Sequence, residues 1–371
     1  MEKFWSTTFT LTGTIIGAGI LGLPYVFSKS GFLIGLFWLI FFGSIMTLTY
    51  LYLSEVSLRT NGRHQLPGLA KKYLGKRGEY LMIFAMVAGL YSSLLAYLIG
   101  EGKSLSLLFL GTENHALLFT LLFWIILTTL LAGGIERLKK VETIGVIAII
   151  IIIVGIFFAF APNMYLINLT TVHPQNFFIP LGVTLFALLG FTSIPELREE
   201  IRGQEKKLKK AIIIGSIIPI ILYTLFTISF VGVLGEKVGQ IATLSFGPFI
   251  ILLGIFTMLT SYFVLSFSIK DMCRYDFELK KKTTFFWTSI LPILLFLSLY
   301  LLQWDNFIQI IGIGGVISGG TIGILGVFMN YKSKQLKERK PEYSIYINKT
   351  IIVAITIIFI LGVILQIYYS I

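Results

Sequence analysis

The chain has 371 residues, of which 56% are hydrophobic and only 13% charged, roughly half the charge content of an ordinary soluble domain. In water such a chain would expose large apolar patches, whereas a bilayer-spanning bundle is built from stretches of about 20 apolar residues; a soluble enzyme, a nucleic-acid binder and a secreted disulfide scaffold are excluded. The net charge of +12 sits in short loops between apolar runs, where membrane topology accounts for it, and the single cysteine, Cys273, can form neither an internal disulfide nor a cysteine-based metal site.

Hydropathy places the first span over residues 6–28. It follows Met1-Glu2-Lys3 like a signal peptide, but it is one of many similar stretches and Pro24 interrupts it, so it reads as a retained span. Its centre, Gly17-Ala18-Gly19-Ile20-Leu21-Gly22-Leu23-Pro24, is glycine-rich at membrane depth and ends on a helix-restarting proline. Spans follow over 32–54 and 79–110. The latter carries Tyr91, Ser92 and Ser93, then Glu101 and Lys103 toward its outer end, where a mutual ion pair or plain exposure is expected. Spans over 115–133 and 141–162 come next, the second without a basic residue. The sixth, 174–197, contains Leu189-Gly190-Phe191-Thr192-Ser193-Ile194-Pro195-Glu196, again glycine and small polar residues before a proline. Spans over 211–235, 244–270, 284–302, 306–329 and 349–370 complete a count of eleven, with Gly312-Ile313-Gly314-Gly315 and Gly319-Gly320 in the tenth expected to allow close helix packing.

The expected fold class is therefore an all-α integral membrane protein with eleven transmembrane helices. All but three of the 30 Lys and Arg residues, including Arg137, Lys139 and Lys140, fall on one side; only Lys29, Lys103 and Lys237 fall near the other. The positive-inside rule then predicts a cytoplasmic N-terminus and a C-terminus outside, in the cell membrane. The first and sixth spans are equivalent members of two five-span halves, residues 1–162 and 168–330, with residues 345–371 as an extra helix. Because five is odd, the halves must be inverted in the membrane, and paired Gly/Pro-interrupted helices in inverted halves point to the central site of a secondary transporter.

Gly13-Thr14-Ile15-Ile16-Gly17-Ala18-Gly19-Ile20-Leu21-Gly22-Leu23-Pro24-Tyr25, followed by Ser30-Gly31-Phe32, resembles the first-helix signature of the amino acid/auxin permease family, within the amino acid, polyamine and organocation superfamily. Ile194-Pro195-Glu196-Leu197 resembles the end of its broken sixth helix, and the resemblance covers essentially the whole chain. It implies a leucine-transporter-like, five-plus-five inverted repeat with broken helices 1 and 6 that moves amino acids by alternating access.

An amino acid must shed water from a carboxylate and an ammonium at the midplane, and neither broken segment has a charged side chain at its centre. Backbone groups freed by the breaks are the expected partners: N–H groups at the start of the outer half-helix for the carboxylate and unpaired carbonyls for the ammonium. The expected substrate-binding set is Ile16, Gly17, Ala18 and Gly19 from the first span and Gly190, Phe191, Thr192 and Ser193 from the sixth, with Tyr91 and Ser92 from the third. Phe191 is also readable as lipid- or core-facing, and a backbone carbonyl would satisfy the Tyr91 hydroxyl without a ligand.

Two coupling ions are open. For protons, a carboxyl near the gate is required, and Glu196 is the expected one. For sodium, relatives of the leucine-transporter fold imply the carbonyls of Gly13 and Ile16 with the hydroxyls of Thr260 and Ser261, although such hydroxyls often bond their own i−4 carbonyl. Sodium-coupled neutral amino acid transporters carry asparagine where this chain has Gly13, which favours protons. No cofactor or metal site, nucleophile elbow or phosphate loop is expected, and no nucleic acid; the partners are the amino acid and membrane lipid, with a monomer as the working unit. The alternative is a transporter-like sensor, which the short segments before Thr7 and after the last span disfavour. A channel is disfavoured by the lack of a charged ring or filter-like loop.

Overall fold

The computed structural model describes residues 3–132 and 142–370, so Arg137, Lys139, Lys140 and the start of the expected fifth span lie outside the described residues. The long apolar runs form helices because no water reaches the bilayer core and each backbone group must be paired within its own segment. In order these are α1 (Lys3–Ile15), α2 (Gly19–Ser30), α3 (Phe32–Arg59), α4 (Leu66–Leu110), α5 (Ala116–Ala132), α6 (Glu142–Phe160), the short α7 (Leu166–Thr170), α8 (Pro180–Ala187), α9 (Ile194–Glu200), α10 (Leu208–Leu234), α11 (Pro248–Asp271), α12 (Lys281–Phe285), α13 (Leu291–Leu301), α14 (Phe307–Leu336) and α15 (Lys349–Ser370). Among the described residues there is no strand. Among the described residues, nine helical segments are long and apolar enough to cross a membrane, ten when the bent pair α1 and α2 counts as one span, and α5 is a shorter apolar helix; the expected count of eleven is not reached.

Two glycines set local geometry that other residues resist. Gly75, at φ 76°, interrupts α4 and separates a short lysine-bearing segment from the apolar length that follows. Gly31, at φ 96°, is the whole connection between α2 and α3, and a Cβ there would lie 2.6 Å from the Thr171 carbonyl oxygen.

The centre of the bundle is occupied by the broken segments. In the stretch from Pro180 to Glu200, 83% of the apolar window is buried, against 17% from Gly145 to Asn163, so α8 and α9 lie inside and α6 faces outward. α14 packs against α4, α8 and α15, α1 against α10, and α2 against α8. The glycines of α14 allow the closest of these approaches: a Cβ on Gly182 of α8 would lie 2.6 Å from the Gly312 carbonyl oxygen, and one on Gly315 2.6 Å from the Phe186 nitrogen.

At the lysine- and arginine-rich end, Glu55 of α3 is fully buried and ties three segments together. It accepts hydrogen bonds from Arg59 Nε at 2.8 Å, Asn330 Nδ2 at 3.1 Å, Ser344 Oγ at 2.9 Å and the Ile345 N–H at 2.9 Å, with Lys334 Nζ at 3.4 Å. A carboxylate at that depth is tolerable because charge and hydrogen bonds surround it.

Candidate functional site

The glycine-rich centre of the first span forms a break. Helix α1 stops at Ile15, residues 16–18 are non-helical, and α2 restarts at Gly19 at an angle of 57° to α1. Restarting a helix leaves the N–H groups of its first turn without intrahelical partners. One of the groups in the break, the Ala18 N–H, donates to the Tyr97 hydroxyl at 3.0 Å.

A second break lies opposite. Helix α8 ends at Ala187 and tightens, with the Leu188 and Leu189 N–H groups donating to the carbonyls of Leu185 and Phe186 at 3.2 and 3.1 Å. Gly190 precedes a 3-10 turn over Phe191–Ser193, and α9 begins with Pro195 in its first turn. The breaks touch through their glycines: a Cβ on Gly19 would lie 2.6 Å from the Ala187 Cβ, and one on Gly190 2.5 Å from Ile15 Cγ1.

Three tyrosines hold the freed backbone. Tyr223 of α10 is fully buried, and its hydroxyl lies 2.7 Å from the Ile15 carbonyl oxygen and 2.8 Å from that of Ala187, so one proton bridges both breaks. Tyr50 of α3 donates to the Leu188 carbonyl. Tyr97 of α4 accepts from Ala18, would touch a Cβ on Gly17 at 3.0 Å, and has the Ser261 side chain beside its hydroxyl. Sequence reading missed all three, because a tyrosine in an apolar helix has no local signature of what its hydroxyl meets.

The structure brings together the expected residues of the two breaks, Ile16, Gly17, Ala18, Gly19 and Gly190. Phe191 and Ser193 are buried, the Ser193 hydroxyl donating to the Gly190 carbonyl at 2.8 Å, and Thr192 is half-buried. The residues expected of the third helix face other elements. Tyr91 donates to the Trp287 carbonyl at 2.6 Å in a π-helical turn, Phe286–Ile290, and Ser92 faces Gly314 of α14. Six residues turn an α-helix through about 240° beyond a full turn, so Tyr97, not Tyr91, points at the break.

The ion-coupling residues are not assembled as expected. Thr260 is exposed, and its hydroxyl donates back to the Phe256 and Thr257 carbonyls at 2.9 and 3.1 Å. Helix α11 presents Ser261 to Tyr97 instead, while Gly13 lies half-buried inside α1, before the break. Glu196 is exposed on α9, whereas Glu200, one turn on, accepts from Thr10 Oγ1 of α1 at 3.0 Å. The expected Glu101–Lys103 pair is absent: Glu101 is buried, and Lys103 reaches Glu113 at 3.8 Å. Residues i and i+2 stand on opposite sides of a helix, which forbids that pair.

Beside the first break, Ile16, Ile20, Ile153, Phe226, Leu253 and Thr257 line an apolar cavity of about 20 Å³, room for about one water molecule. Both ends of the broken pair are tied. At the basic end, Lys3 donates to the Arg202 carbonyl at 2.6 Å, Arg63 pairs with Glu199 at 2.6 Å, and Arg198 donates to the Ser57 carbonyl at 2.5 Å. At the other end, Lys29 donates to the Glu236 carbonyl at 3.0 Å and His173 lies 2.9 Å from the Glu236 carboxylate.

Comparison with known proteins shows the family of the chain. The tryptophan/tyrosine permease family matches residues 1–244. The chain is 27% identical over 244 residues, 64% of its length, to tyrosine-specific transport system 1 of Haemophilus influenzae, of which it covers 60%. It is 24% identical over 336 residues to glutamine transporter 2 of Aliivibrio fischeri, with 85% of each chain covered. It is 25% identical over 238 residues, 60% of its length, to a low affinity tryptophan permease of Proteus vulgaris, of which it covers 56%. These matches correct the amino acid/auxin permease assignment: the first-helix signature belongs at the level of the amino acid, polyamine and organocation superfamily. The matching family is one of permeases, not of enzymes.

Proposed function

Because the chain belongs to the tryptophan/tyrosine permease family, we propose that it is a secondary active transporter that carries neutral amino acids across the cell membrane by alternating access. The observation that carries this reading is the contact of two broken helices through bare glycine backbone, with tyrosine hydroxyls holding the freed groups. N–H groups at the start of α2 suit a carboxylate, and the carbonyls at the ends of α1 and α8 suit an ammonium. Ile16, Gly17, Ala18 and Gly19 take the main-chain groups, and Gly190, Phe191, Thr192 and Ser193 face the side chain. Uncharged side chains fit because the breaks themselves carry no charged residue, and the relatives are named for tyrosine, glutamine and tryptophan.

In this reading residues 1–162 and 168–330 are inverted halves, residues 345–371 stand outside them, the N-terminus is cytoplasmic and the C-terminus outside, and one chain suffices. The proton is the proposed coupling ion; the back-bonded, exposed Thr260 supports this reading over the sodium set of Gly13, Ile16, Thr260 and Ser261. Glu196, the carboxyl expected near the gate, stands exposed on α9.

The test is uptake of a labelled mixture of neutral L-amino acids into liposomes holding the purified protein, under an inward proton gradient without sodium. Accumulation that a protonophore abolishes supports the reading. Uptake only after sodium is added overturns proton coupling, and binding without uptake in either condition overturns transport in favour of a sensor.

A further inference from the structure

Glu101 of α4 is fully buried, and neither of its carboxyl oxygens accepts a hydrogen bond. Its neighbours show how closely it is enclosed. A Cβ on Gly102 would lie 2.6 Å from the Ala116 carbonyl oxygen at the start of α5, and one on Gly100 3.3 Å from the Met258 Cε of α11. The backbone of Leu259 on α11 is a polar group near the carboxyl. Helix α5 and the turn Ala242–Ser245 bring no titratable side chain, α11 brings Tyr262, and α4 itself brings Tyr97 and Lys103. Lys103 is engaged outward with Glu113, and His115 lies in the connection before α5. A carboxyl so placed has lost its water and gained no cation partner among the described residues.

Its place on the helix links it to the site. Tyr97 is four residues earlier, on the same face and one turn away, about 6 Å along the axis. The Tyr97 hydroxyl accepts from the Ala18 N–H inside the first break. Tyr97 therefore stands one helical turn from Glu101 and in direct contact with the backbone of the first break.

We propose that Glu101 is the site that binds and releases the co-transported proton, with Tyr97 as the positioning residue between it and the first break. The carboxylate takes one proton from water when the site opens to one side, and the neutral acid returns that proton to water on the other; no other bond is made or broken. This rests on the transporter reading above.

Glu101→Gln fixes the neutral form without changing shape. In proteoliposomes loaded with a labelled neutral L-amino acid mixture, the variant is expected to keep counterflow exchange within about threefold of the parent. It is also expected to lose proton-driven accumulation and the substrate-induced pH change reported by an entrapped pH dye. Tyr97→Phe, which also removes the partner of the Ala18 N–H, is expected to lower accumulation and to shift its pH profile. Parent-like accumulation and proton uptake in Glu101→Gln overturns the assignment while leaving the transporter reading intact. A parent protein that neither exchanges nor accumulates amino acid overturns the transporter reading, and this one with it. Should Glu101→Gln fail to insert, Glu101→Asp decides: a displaced pH profile of uptake supports the assignment, and an unchanged profile overturns it.

Discussion

The contact between Gly19 and Ala187 sets a demanding limit on the site. Replacing Gly19 by alanine adds a Cβ that would lie 2.6 Å from the Ala187 Cβ and 2.9 Å from its nitrogen. Carbon atoms rest at about 3.5–4.0 Å, so α2 and α8 must separate by about 1 Å. Overpacking of that kind costs roughly 1–3 kcal/mol. Charged to the closed arrangement alone, it shifts the balance between closed and open states about 5- to 150-fold. The expected result is a lowered melting temperature in detergent and uptake reduced by at least about tenfold. Gly155→Ala is the control, since a Cβ at that exposed position on α6 meets nothing within 4 Å. Gly19→Ala with the melting temperature and uptake of the Gly155→Ala control would refute the reasoning, because the two breaks would then not meet as described.

Further outcomes follow from individual bonds. Tyr223→Phe removes the one proton shared by the Ile15 and Ala187 carbonyls. It should cost about 1–3 kcal/mol of stability, read as a lowered midpoint of thermal unfolding, with slowed counterflow; unchanged values would mean the bridge is idle. Glu55→Gln leaves Arg59 and Lys334 facing a neutral amide. A loss of roughly 3 kcal/mol is expected, the low end for a buried pair because both cations keep some water; the yield of folded protein and its melting temperature measure it. Outside the membrane, the Lys72 ammonium and the Asn61 N–H hold the Glu338 carboxyl below its usual range. Its native form binds protons more weakly than the unfolded form, so its contribution is full at neutral pH and is lost as the pH falls below about 4. The difference in thermal stability between the parent and Glu338→Gln should therefore shrink on acidification, and a gap that is constant with pH would count against it.

The all-helical membrane character and the first break were legible in the sequence because both are local; the count of eleven spans was not matched by the nine or ten found among the described residues. A run of apolar residues forms a helix wherever it sits in a bilayer, and Gly17-Ala18-Gly19 marks the place where α1 gives out. The second break was located to within a few residues, around Gly190. Which side chains meet across helices depends on rotation about the helix axis, and hydropathy does not encode rotation in helices apolar all round. Tyr91 and Tyr97 illustrate this, as do Thr260 and Ser261, which differ by about 100° in facing. Helical spacing alone could have rejected the Glu101–Lys103 pair and noticed Tyr97 and Glu101 on one face. The role of Tyr223 could not be read, since its partners Ile15 and Ala187 lie 208 and 36 residues away along the chain.

The single-residue joint at Gly31 gives α3 the character of a crank. Only one pair of torsions separates α2 from α3, so a swing of α2 as the break opens is either absorbed at that residue or passed on whole. From Phe32 to Glu55 the helix runs about 35 Å, and a tilt of about 5° at Gly31 carries its far end through about 3 Å. That displacement is as long as the hydrogen bonds from Asn330, Ser344 and Ile345 to Glu55. Opening on one face of the membrane would in this way be reported, with gain, to the ionic cluster on the other.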